Sequence, residues 1–268
     1  MPRAQAERTI ALPFEKEHTA TGEAKLPAND GSRRIDHKKT ATGPEDWETL
    51  FQLGLLELEK FHNFSGARSF FARACELNPT EGSLWFQLGL TVFRMGYFEE
   101  SEAFLRHAQQ CGFKSERVWD HRGDALYNLG RFDEACKCYS RVLEVAPENS
   151  STEAKLSLAM VCSGKVEQGL ARLRAALTTK PHVAELHEGL VLSLVFVNRI
   201  EEAAEAAESK LHAIGNSMVG DYLRSASLWA QLRQWRRAIN TLQQGLLLFP
   251  GDPELRWALE EAIQVPTG

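Results

Sequence analysis

Prolines at 79, 147, 181 and 250 are separated by 68, 34 and 69 residues, one or two multiples of 34 with a single extra residue in the last interval. A period of that length constrains the fold more than any single motif, because it imposes one local solution several times over. The residues between the prolines return in the same order. From Gly82 the chain reads Trp85, Leu88, Gly89, Val92, Gly96, Phe98, Leu105 and Ala108. Thirty-four residues on it reads Trp119, Arg122, Gly123, Leu126, Gly130, Phe132, Ala135, Tyr139, Val142 and Pro147. The next registers give Leu156, Met160, Gly164, Val166, Gly169, Leu173, Ala176 and Pro181, then Leu190, Leu194, Ile200, Ala203 and Ala207. With a one-residue insertion near Gly215 there follow Tyr222, Ala226, Trp229, Trp235, Ala238, Leu242 and Pro250. Upstream, Leu53, Gly54, Phe64, Ala67, Phe71, Ala74 and Pro79 fit with one extra residue in the turn FHN.

Each period is a pair of helices. Apolar residues recur at three- and four-residue steps, as in Leu126 and Leu129 and then Ala135, Tyr139 and Val142, the spacing that lines one face of a helix. Gly96, Gly130 and Gly164 fall between the two runs, where a left-handed turn residue is needed. Gly89 and Gly123 fall inside first helices at a cost of about 1 kcal/mol against alanine, which predicts close approach of a neighbouring helix. One pair cannot bury its apolar face alone, so the pairs must stack. Six such units are predicted, at 45–80, 82–115, 116–149, 150–183, 184–217 and 218–251. A further helix over 252–264, capped by Asp252 with Pro253 at its first position, closes the array through Leu255, Ala258, Leu259 and Ile263.

This joint spacing resembles the tetratricopeptide repeat family, which places Trp, Leu-Gly and Tyr on a first helix and Ala, Phe and Ala on a second, with a closing Pro. The match is close in units 1 to 3 and 6. It is looser in unit 4, where Glu153 takes the Trp position, and in unit 5, which lacks the turn Gly and the closing Pro. The resemblance implies an all-α fold, a right-handed α-solenoid of six helix–turn–helix repeats with a C-terminal capping helix.

Composition bounds the rest. Of 31 Lys/Arg and 36 Asp/Glu, residues 1–44 hold 8 and 6, leaving 23 against 30 for the repeats. An acidic body is a poor match for a phosphate backbone, which disfavours nucleic acid. Residues 1–44 have too little apolar surface to offset the entropy of ordering and are expected to form a disordered tail. Its basic cluster RRIDHKK, 33–39, reads as a solvated charge run. No apolar run approaches 18 residues, so no transmembrane segment is expected. The N-terminus lacks the apolar core of a secretory signal. Five cysteines, at 75, 111, 136, 138 and 162, follow no framework spacing and read as reduced thiols, which places the chain in the cytoplasm.

Cys136 and Cys138 invite a metal or redox reading. Residues two apart on a helix point about 200° away from each other, so they cannot share an ion or close an ordinary disulfide. The eight histidines make no HExxH and no ligand spacing with Cys, and neither a nucleophile elbow nor a phosphate-binding glycine loop is present. The sequence therefore predicts no catalytic residue, no metal site and no cofactor, and the expected role is a protein-binding scaffold or adaptor.

Members of the resembled family bind partners in the groove lined by their first helices. Carried over by register, the candidate contacts are Phe86, Leu90, Phe93 and Arg94; Arg117, Asp120, Asp124, Tyr127 and Asn128; and Lys155 and Arg224. The flanking positions add Phe51, Leu55, His121, Leu192, Val195 and Phe196. Chaperone-binding members clamp a C-terminal carboxylate with Lys and Asn. Here Phe86, Leu90, Asp120 and Asp124 stand instead, so the implied ligand is a peptide with apolar anchors and some basic residues. The phenylalanines admit a second reading, as packing between adjacent repeats. Two other functional classes remain. One is a recruiting subunit of an enzyme system, such as a glycosyltransferase or peptidase pathway. The other is an RNA-reading helical repeat, against which Asp120, Asp124 and Glu188 argue.

Overall fold

The computed structural model describes residues 46–215 and 217–264. The expectations for the tail at 1–44 lie outside the described residues. Those described form thirteen α-helices and no strand, an all-α helical repeat fold. In chain order they are α1 (Trp47–Glu59), α2 (Phe64–Leu77), α3 (Gly82–Arg94), α4 (Phe98–Gln110), α5 (Glu116–Asn128), α6 (Phe132–Val145), α7 (Ser150–Cys162), α8 (Val166–Thr179), α9 (Ala184–Phe196), α10 (Ile200–Ala213), α11 (Val219–Gln231), α12 (Trp235–Leu248) and α13 (Pro253–Gln264). None of them is long and apolar enough to cross a membrane.

The helices fall into two compact units that part between Leu129 and Gly130. In the first, α1 packs on α2, α2 on α3, α3 on both α4 and α5, and α4 on α5. In the second the same stagger recurs: α7 packs on α8 and α9, α11 on α12 and α13, and α6, α8, α10 and α12 each rest on the helix that follows. The first helices α3, α7 and α11 thus touch their own partner and the next first helix, the stacking that the period demands.

The turns explain why the period survives changes of residue. Gly96, Gly130 and Gly164 have φ of 84°, 72° and 92°, and Asn198 and Arg233 take 61° and 57° at the same register position. Around Gly96 its N–H donates to the Phe93 carbonyl and the Tyr97 N–H to the Val92 carbonyl. The same two bonds recur at Gly164, Asn198 and Arg233, the paired closure of a left-handed helix stop. The fifth unit, without its turn glycine, keeps the conformation through Asn198, a residue that tolerates it. The first unit's His62, with φ of 48°, is bonded differently: Asn63 donates to the Glu57 carbonyl, in keeping with its extra residue.

Glycines inside helices mark contacts. A Cβ on Gly54 would stand 2.5 Å from Phe71, and one on Gly89 would stand 2.9 Å from Leu105. The close neighbour is an aromatic ring at Gly54 and a leucine side chain at Gly89. A Cβ on Gly169 would stand 2.6 Å from the Ser157 carbonyl oxygen, so α7 and α8 would have to separate.

The last helix is capped as the sequence predicts, with the Leu255 N–H donating to Asp252 Oδ1 at 2.9 Å. Its covering face differs. Leu255 and Ala262 are buried while Ile263 is 59% exposed, because positions 3 and 10 of a first helix face the preceding unit. Val118 and Ala125 hold those positions in α5 and are likewise buried.

Cys136 is half-buried and Cys138 buried on α6, and no disulfide joins any of the five cysteines, all within the described residues. Burial pushes the Cys136 thiol up to about 11. Burial, with smaller contributions from Cys111 and Glu76, pushes Cys75 up to about 12. Both groups are therefore thiols, not thiolates, at neutral pH.

Three outcomes follow. Arg233→Gly should raise stability by about 1 kcal/mol, since an L-residue in the left-handed region costs about that much; an unchanged or lower urea midpoint contradicts the strained turn. Gly169→Ala should lower stability by about 1–3 kcal/mol despite alanine's better helix propensity, read from the same melts. Iodoacetamide at pH 8 should leave Cys75 and Cys136 unmodified in the folded chain and alkylate both in guanidinium. Mass-spectrometric detection of either adduct in the folded chain would show that burial does not protect it.

Candidate partner-binding surface

Nine of the eleven candidate residues lie on α3 and α5 of the first unit. Glu81 starts α3 by accepting from the Ser83 N–H at 3.2 Å, and Ser115 starts α5 by accepting from the Arg117 N–H at 3.3 Å. The two helices are held from behind. Arg122 on α5 donates to Glu102 at 2.9 Å and to Gln109 at 2.8 Å on α4. The Glu102 side chain is nearly inaccessible, so this ion pair is shielded from solvent and needs the extra hydrogen bond that Gln109 provides.

Exposure sorts the candidates. Phe86 is 3% exposed: its ring lies 5.0 Å from that of Phe113 and 6.1 Å from that of His121, with the Arg117 guanidinium 5.4 Å above it. Phe93 is 6% exposed and meets Phe98 edge-on at 5.3 Å. Tyr127 and Asp124 are buried as well. These four shape the surface from beneath, so the packing reading of the phenylalanines holds for Phe86 and Phe93. Leu90, Asp120 and Asn128 are partly accessible, and Arg94 and Arg117 are exposed. Asn128 is anchored by donating to the Asp124 carbonyl at 2.9 Å.

The sequence reading passed over a grouping on the same helix. Asp120, His121 and Asp124 each bring one donor atom within 4.8 Å of the others. His121 Nδ1 stands 3.6 Å from Asp124 Oδ2. The signal was their spacing at i, i+1 and i+4, which places all three on one side of a helix. The described residues add no fourth His, Cys or carboxylate to this set.

The remaining two candidates lie in the second unit and are engaged there. Lys155 is buried, its ammonium 6.0 Å from the Tyr139 ring. Arg224 pairs with Glu188, whose other oxygen accepts from Lys210 at 3.0 Å; Lys210 also donates to Asp221 at 2.7 Å. Burial alone would push the Lys210 ammonium down, but its bond to Asp221 and the charge of Glu188 outweigh that and hold its pKa above the usual lysine value. This network ties α9, α10 and α11 together. Of the flanking residues, Leu192, Val195 and Phe196 stay half-buried.

A tetratricopeptide repeat family model matches residues 116–149, which hold α5 and α6. The TPR repeat-containing thioredoxin TTL4 of Arabidopsis thaliana is 26% identical over 81 residues, 30% of this chain and 12% of that protein, so the likeness covers a small part of the plant protein's length. Among solved structures, the type IV pilus biogenesis factor PilW superposes with a TM-score of 0.60 at 15% identity, covering 81% of this chain and all of the other. YrrB, described as a TPR protein with an unusual peptide-binding site, superposes at 0.53 and 15% identity over 63% of this chain and 86% of its own. Pseudomonas aeruginosa PilF gives 0.54 at 19% identity over 80% and 97%. These structures share the fold. Together with the repeating turns and helix stagger, they give the chain a tetratricopeptide-type helical-repeat fold, with one repeat, 116–149, matched by the family model itself.

Proposed function

We propose that this chain is a non-catalytic adaptor whose first unit holds a segment of a partner protein along the accessible face of α3 and α5. One observation carries the reading: Leu90, Arg94, Arg117, Asp120 and Asn128 are accessible on two packed first helices, over a floor of buried Phe86, Phe93, Asp124 and Tyr127. A fixed floor places an apolar contact, two cations and an acid at set spacings before any ligand arrives, so less ordering is needed on binding. The mixed signs favour a segment that carries both acidic and basic residues around an apolar anchor. This adds acidic residues to the peptide of apolar anchors and some basic residues that the sequence alone implied, because Arg94 and Arg117 are exposed whereas Asp124 is buried. Lys155 and Arg224 extend the proposal to the second unit as residues that shape its surface through Tyr139 and Glu188. The fold shared with a peptide-binding repeat protein supports the reading.

The test compares partners recovered by affinity purification. Arg94→Ala, Arg117→Ala and Asp120→Ala together should weaken capture of the main partner by about tenfold or more, with an unchanged urea midpoint. Arg106→Ala, Arg141→Ala and Glu144→Ala, all at exposed sites on second helices, should leave it intact. An unchanged partner set in the first variant would sink the proposal.

A further inference from the structure

The final helix exposes two large apolar residues at positions that are buried or half-buried in each of the other first helices. α13 begins three residues after Pro250, as α7 begins three after Pro147. Counted this way, Trp257 holds position 5 and Ile263 position 11. In α3 those positions are Phe86 and Val92, 3% and 0% exposed, and position 11 of α5 is Leu126, 1% exposed. Trp257 is 66% exposed and Ile263 59%. The first helices α3, α7 and α11 are packed by their own second helix and by the next first helix, and no described element does this for α13. The exposure is not a general feature of unit ends. Leu248, two residues before its proline, is exposed like Leu77 and Val145, two before theirs; Trp257 and Ile263 have no such counterparts.

Charge narrows what covers this face. Position 8, where second helices approach most closely, is Gly54, Gly89 and Gly123 in the first three units, and here it is Glu260. Glu260 and Glu261 are exposed and pair with no cation among the described residues. The helix's one basic side chain, Arg256, donates instead to the Pro250 carbonyl at 3.2 Å. A repeat-type second helix would set an apolar side chain against the Glu260 carboxylate. A second copy paired antiparallel about this face would set Glu260 against Glu260. Both arrangements leave charge uncompensated.

We propose that α13 is a docking site for an amphipathic helix of a partner protein whose apolar stripe covers Trp257 and Ile263 and whose Lys or Arg residues meet Glu260 and Glu261. This is helix-on-helix recognition read through anchors and flanking charges. It is independent of the face on α3 and α5.

The experiment uses the full chain and two fluorescein-labelled synthetic helices with leucine at i, i+3, i+4 and i+7, one flanked by lysines and the other by glutamates. Anisotropy titration should show binding of the lysine peptide, about tenfold or more weaker for Trp257→Ser/Ile263→Ser. Glu260→Lys/Glu261→Lys should transfer the preference to the glutamate peptide. Both variants alter exposed side chains, so the urea midpoint should not move. Arg94→Ala/Arg117→Ala should bind the lysine peptide as wild type does, which separates this site from the proposed face on α3 and α5. The inference is overturned if the lysine peptide does not bind, or binds wild type and Trp257→Ser/Ile263→Ser alike. It is equally overturned if sedimentation shows a wild-type dimer that the same variant makes monomeric, since a second copy would then be the occupant.

Discussion

A residue in the left-handed region closes α3, α5, α7, α9 and α11, at 96, 130, 164, 198 and 233, and the rest of the structure depends on that stop. The stop fixes where the second helix begins, and hence which of its side chains meet the first. Shifting it by one residue would rotate every later position by about 100° and turn the buried stripe toward water. The fold holds to this so firmly that Arg233 adopts the strained conformation with no glycine to ease it. Conformation is conserved along the array, and residue identity is not.

Given that register, contacts repeat with variation. Phe71 rests against Gly54 and Leu105 against Gly89, and the backbone of α7 rests against Gly169. In each case a missing Cβ on one helix lets a neighbour come close. Charged groups drawn in between helices are paired in two places, Arg122 with Glu102 and Gln109, and Lys210 with Glu188 and Asp221. The last helix departs from the rule, with a glutamate at the close-approach position and a tryptophan facing outward.

The helices and turns were legible in the sequence because they rest on period, glycine and proline, which are local signals. The site was less so. Register correctly put Phe86, Phe93, Asp124 and Tyr127 on first helices, but whether a side chain is a contact or a floor depends on neighbours far along the chain. Phe113, which covers Phe86, lies in the turn after α4, where no repeat position announces it. Lys155 and Arg224 read as available charges, yet Tyr139 and Glu188 engage them. Ile263 was assigned to the covering face because its spacing from Leu255 and Ala258 suits a helical stripe, whereas the buried positions of α13 are 3 and 10, which are Leu255 and Ala262. The Asp120, His121 and Asp124 grouping is readable from spacing alone, because i, i+1 and i+4 fall within one side of a helix.

The central functional claim is that partners meet the accessible side of α3 and α5, with the buried aromatics serving as its floor. A photo-crosslinking residue at Leu90 reads this directly when compared with the same residue at Ala103, an exposed position on α4. A covalent adduct to a partner protein is expected from position 90 and none from position 103. An adduct from position 103 with none from position 90 would contradict it.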